Sequence, residues 1–176
     1  MKCFAIALSL SLLALPGLAQ EPKPDDSMKD CPMHDLHAAH HAVVESHGDR
    51  AMGFPHGKTT HHFRMLGDGG AIEIAANDPE DKTNREAIRS HLAHIAMSFG
   101  AGDFSAPMFI RDGVPPGVTT MKLLKSTIHY AYQETPAGGR VSIESQDPIA
   151  VAAIHDFLRF QITDHQTDDA LQSAQK

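Results

Sequence analysis

Residues 58–75 read KTTHHFRMLGDGGAIEIA. Up to Leu66 the side chains alternate, with Thr59, His61, Phe63 and Met65 on one face and Thr60, His62, Arg64 and Leu66 on the other, which is the period of a strand. Gly67-Asp68-Gly69-Gly70 then predicts a hairpin turn whose glycines allow positive φ, and Ala71 to Ala75 returns with Ile72 and Ile74 inward. Asp78-Pro79 opens a segment in which Ile88, Leu92, Ile95 and Phe99 recur at helical spacing, a stripe that must face a core. The unit is ββα.

The same plan returns 69 residues later, in IHYAYQETPAGGRVSIES at 128–145. Gly69-Gly70 corresponds to Gly138-Gly139, Ile72 and Ile74 to Val141 and Ile143, and Asp78-Pro79 to Asp147-Pro148. After a contraction of three residues, Ile154 and Leu158 stand opposite Ile88 and Leu92. This is an internal repeat. Each helix stripe has to bury itself against a sheet, so the expected fold is α+β: a duplicated ββα unit forming a four-stranded antiparallel sheet with two helices on one face.

The rest of the chain is read around this domain, placed at 58–165, with units 58–99 and 126–165 joined by 100–125. That connection is long for a loop without structure of its own, and Met121 to Lys125 predicts a short helix within it. At the N-terminus Lys2, the largely apolar twelve-residue stretch Phe4 to Leu15 and the small residues Gly17 and Ala19 form a signal-peptide pattern over 1–19. The apolar run is too short to span a bilayer, so the mature chain is expected to be periplasmic or secreted, with no membrane anchor. Residues 20–57 read as a Pro-rich linker followed by a Cys/Met/His-rich arm. Its helix is expected over Cys31 to His47, with Pro32 in the first turn and Gly48 just past the end. Residues 166–176 read as a polar tail.

Without Lys2, fourteen basic against twenty-two acidic side chains leave a charge of −8, which argues against nucleic acid as a partner. One cysteine, Cys31, remains after signal removal, so no internal disulfide forms. Eight of the thirteen histidines lie between His34 and His62.

On the arm helix His34, His37 and His41 share one face, with Cys31 one turn earlier and Met33 beside His34. Thiolate, thioether and imidazole together favour copper as Cu(I), with zinc acceptable to the Cys and His members. Within the domain the repeat offers a comparison of its own: His61 corresponds to Tyr130, His91 to Phe157 and His94 to Phe160. Imidazoles gathered where the other half has aromatic rings need partners if buried, so His61, His91 and His94 are candidates for a second metal site. An ordinary imidazole would lose its metal as pH falls through ~6.5.

Cys31-Pro32-Met33-His34 resembles the opening of the heavy-metal-binding modules attached to bacterial copper efflux systems, which continue with Pro where this chain has Asp35. Lys58-Thr59-Thr60-His61-His62-Phe63, together with Gly48-Asp49, Met52-Gly53-Phe54 and 157–162, is similar to a family of small exported bacterial proteins of unsettled function. Some of these carry an aspartate carbamoyltransferase label, but the Ser-Thr-Arg-Thr-Arg phosphate loop of that enzyme is absent here. The expected function is therefore metal binding or sequestration outside the cytoplasm. The alternatives are a metal-dependent enzyme using a histidine cluster, a tetrapyrrole-binding module, or an interaction module that takes a protein partner or forms a homodimer through the sheet face or Cys31.

Overall fold

A computed structural model describes residues 48–50, 52–111 and 113–172. The expected signal peptide and the expected arm ligands Cys31, Met33, His34, His37 and His41 lie outside the described residues. The elements are β1 (Thr59–Leu66), β2 (Gly69–Ala76), α1 (Lys82–Ala101), α2 (Ser105–Arg111), α3 (Val118–Leu123), β3 (Ile128–Thr135), β4 (Gly138–Ser145) and α4 (Pro148–Asp164). The four strands make one antiparallel sheet in the order β1-β2-β4-β3, and α1 and α4 cover one face of it. No helix among the described residues is long and apolar enough to cross a membrane.

The repeat is also a symmetry of the sheet. The strand boundaries of β1 and β3, and of β2 and β4, fall 69 residues apart, as from Thr59 to Ile128 and from Gly69 to Gly138. Where the two hairpins meet, Ile72 pairs with Val141, its own counterpart, while Gly69 and Ala75 pair with Glu144 and Gly138. An antiparallel register centred on two equivalent residues places a pseudo-two-fold axis between them. The helices cross this axis: α1 packs mainly on β3 and β4, and α4 on β1 and β2. Each unit's stripe is thus buried by the other unit's hairpin, and neither half closes a core alone.

Two details depart from the sequence reading. The two-residue turns are Gly67-Asp68 and Pro136-Ala137, and the Gly-Gly pairs begin the returning strands. Of these pairs only Gly69 has positive φ, at 144°. The pairs are required by close approach: a Cβ on Gly70 would overlap the Leu158 methyl and the Arg64 carbonyl, and one on Gly139 would meet Leu92. Second, the N-cap of α1 is Asp81, which accepts from Asn84 N–H at 3.0 Å, as Asp147 caps α4 from Ile149 N–H at 2.8 Å. The three-residue contraction therefore falls before the helix, and Asp78-Pro79 forms an extra turn.

The folded unit reaches further than 58–165. Residues 48–50 and 52 are helical, Gly48 is buried within that segment, and Gly53 (φ 81°) ends it, donating its N–H to Asp49 O at 2.9 Å. Phe54 is 2% exposed and belongs to the core, because it roofs the histidines of β1 and α1. In the connection, Phe104, Val118 and Met121 are buried, with Phe104 stacked on Phe99 at 4.3 Å. Beyond α4, Asp169 folds back on edge strand β1 and accepts from Phe63 N–H at 2.9 Å. The outer sheet face is polar, with Glu73 bridging Arg64 at 3.1 Å and Arg140 at 2.6 Å.

Candidate functional site

His61 lies on the inward face of β1, opposite Ile74 of β2, near the open side of the helix layer. Its ring stacks on His165, with centroids 5.2 Å apart, and faces Phe54 at 6.4 Å and Phe63 at 6.5 Å. His91 comes from the edge of α1 and meets Phe54 edge-on at 5.6 Å. Both imidazoles line a cavity of about 70 Å³ whose other walls include Met52, Phe157, Gln161 and His165. Its lining is mostly apolar because it is the end of the core where the helix stripes give way to these rings.

Burial, reinforced by repulsion from His91, His56 and His62, lowers the His61 pKa to about 4. Burial, with a smaller contribution from His94, lowers His91 to about 4 as well. Both rings are neutral at any pH near 7, the form that binds a metal. The window in which protonation would expel an ion moves from the ordinary ~6.5 to about 4. His61 Nε2 is buried without a hydrogen-bond partner, which ordinarily costs about 1–3 kcal/mol.

His94 is placed differently. It is exposed on α1 and hydrogen-bonded to Ser98 Oγ at 3.3 Å. Among the described residues no group of three or more His, Cys, Asp or Glu is positioned to hold a metal ion, so His61, His91 and His94 do not form a ready three-imidazole site. The third ring beside His61 is His165, which sequence reasoning missed. The signal was present: with the helix offset of 66, His165 is the counterpart of Phe99, and the contacts follow, Phe99 meeting Tyr130 at 6.1 Å as His165 meets His61. His61, His91 and His165 thus stand where the symmetry-related site has Tyr130, Phe157 and Phe99, with His165 supplied by the second repeat and Phe99 by the first. Met52 and Phe54 were also missed, since they lie in a short segment without periodicity.

Beside the cavity runs a polar groove of about 320 Å³, lined by His56, Thr59, Thr60, His61, His62, His165 and the residues up to Asp168. His56 Nδ1 is 3.0 Å from Asp49 Oδ1, and His62 Nδ1 is 3.0 Å from Asp169 Oδ1. The Asp169 side chain is 7% exposed. Burial alone would raise its pKa, but the hydrogen bonds from Phe63 N–H and His62 outweigh this and hold it below the usual carboxylate range.

Comparison of the chain with family models, curated proteins and solved structures returned no match.

Proposed function

We propose that this is an exported metal-binding protein that sequesters copper, and that its cavity holds Cu(I) through His61, His91 and Met52. The observation that carries the reading is the buried, partnerless Nε2 of His61, a residue that lines one cavity with a second neutral imidazole, His91, and the thioether of Met52. Two imidazoles and a thioether are soft, uncharged donors suited to Cu(I); zinc gains little from the sulfur. An apolar surround favours a monovalent ion with neutral ligands, which buries the least charge. The arm donors Cys31, Met33, His34, His37 and His41 would provide a second, thiolate-bearing site. A cavity of about 70 Å³ is several-fold below the roughly 300 Å³ of small-molecule pockets, which favours an ion over a tetrapyrrole. Metal analysis of the protein purified from its own export compartment tests the proposal: stoichiometric copper is expected, and stoichiometric zinc or a bound organic chromophore would overturn it.

A further inference from the structure

We infer that the polar groove is the entry site of the cavity, where His62 and His56 capture the Cu(I) ion before it passes to His61. The inference rests on the proposal that the cavity binds Cu(I). Groove and cavity share two residues, His61 and His165, whose stacked rings form the wall between them. An ion in the groove therefore meets His61 first on its way inward.

The groove is prepared for a cation in two ways. His62 and His56 each donate Nδ1–H to a carboxylate, Asp169 and Asp49, both at 3.0 Å. A carboxylate on one ring nitrogen fixes the tautomer and makes the other nitrogen, Nε2, the more basic donor, as it does behind metal-binding imidazoles. His62 is 44% exposed and His56 41%, so these rings meet solvent, unlike His61. The field has the right sign too. Asp168 lines the groove, Asp49 and Asp169 stand behind it, and no Lys or Arg is among its described lining residues. Arg64 shares the outer face of β1 with His62 and comes within 4.0 Å of the same Asp169 Oδ1, offsetting part of that charge, so the carboxylates of Asp168 and Asp49 carry most of the field. An anion would find three carboxylates here, and a cation finds compensation.

The symmetry of the fold adds an independent argument. At the positions equivalent to His56 and His62 the second half has Lys125 and Ala131, just as it has Tyr130 for His61. Outer and inner imidazoles occur in the same half and converge on the same wall. With at most two imidazoles the groove site is weak and open to water, which suits capture and release. Transfer is ligand exchange only: the ion leaves His62 or His56 as it gains His61, with no change in oxidation state.

The test is anaerobic stopped-flow transfer of Cu(I) from its coloured bicinchoninate complex to the mature full-length chain. The cavity's share of the signal is defined as the part lost in the double variant His61→Tyr, His91→Phe. In the double variant His56→Ala, His62→Ala that share should keep its end point while its rate falls by roughly tenfold or more. If that variant does not fold, His56→Ala alone, at an exposed site, should slow the same phase. An unchanged rate with an unchanged end point would overturn the entry site and leave the cavity standing. If His61→Tyr, His91→Phe removes no Cu(I) binding, the cavity reading fails and the entry site with it.

Discussion

Arg89 and His155 hold the same two positions of opposite hairpins. His155 Nε2 reaches Leu66 O at 2.8 Å and Gly69 O at 2.9 Å, while Arg89 donates to Thr135 O at 3.0 Å and Gly138 O at 3.3 Å. Leu66 and Thr135, Gly69 and Gly138, and Arg89 and His155 are counterparts in the two units. Each helix thus clamps the hairpin of the other unit at its turn, and the polar clamp follows the same crossing as the apolar stripes.

Removing either clamp should act at a distance in sequence. Arg89→Ala should cost about 1–2 kcal/mol and raise amide exchange in the β3–β4 hairpin, with β1–β2 unaffected. His155→Ala should do the reverse. Exchange that rises in the hairpin of the same unit would contradict the crossed packing.

The glycine pairs should differ in tolerance. A Cβ on Gly70 meets backbone at Arg64 as well as the Leu158 side chain, whereas on Gly139 it meets the side chains of Tyr132 and Leu92 at 2.9 and 3.1 Å. Side chains shift more cheaply than backbone. Denaturant unfolding should show Gly70→Ala costing about 3 kcal/mol and Gly139→Ala nearer 1 kcal/mol. Equal costs would mean that the two sites relax alike.

Phe54 should prove part of the core. The sequence reading lets a fragment beginning at Lys58 fold, but that fragment loses the ring that covers His61 and His91. Phe54→Ala should cost about 3–5 kcal/mol, and a fragment starting at Gly48 should unfold more cooperatively and at higher temperature than one starting at Lys58. Indistinguishable transitions would place the boundary back at Lys58.

Burial of the two imidazoles should also appear as pH dependence. Their folded pKa values, about 4, lie below the unfolded ~6.5, so between these limits the unfolded chain binds protons that the folded chain does not. Stability contributed by the neutral rings is complete above ~6.5 and falls as pH falls toward about 4, by up to about 3 kcal/mol for each ring. The stability difference between the parent and His61→Tyr, His91→Phe should therefore change across this window. A difference independent of pH would mean that the rings are solvated.

The α+β class, both hairpins and the helix stripes were legible because one pattern occurs twice and each copy checks the other. Strand order and the crossing of the helices were not: alternation says which face of Ile72 is buried, and only the assembled sheet shows that Val141 lies beside it. Glycine at 48 and glycine at 53 are equally good helix stops in sequence, and among the described residues it is Gly53, with φ 81°, that ends a helical segment. The site was half legible. Comparing the repeats found His61 and His91, but it followed α4 only to Phe160 and so paired His94 instead of reaching His165. Asp169, in a segment read as a polar tail, carries no periodic signal that would tie it to His62.

The central claim is that the imidazoles of the first half are ligands and the aromatics of the second half are packing. Its most direct test is anaerobic Cu(I) titration of the parent protein and of His61→Tyr, His91→Phe against a competing chelator, since these substitutions install the residues that the fold already accommodates at Tyr130 and Phe157. The account predicts that the variant binds one Cu(I) equivalent fewer than the parent and is at least as stable. Equal stoichiometry and affinity in the two proteins would contradict it.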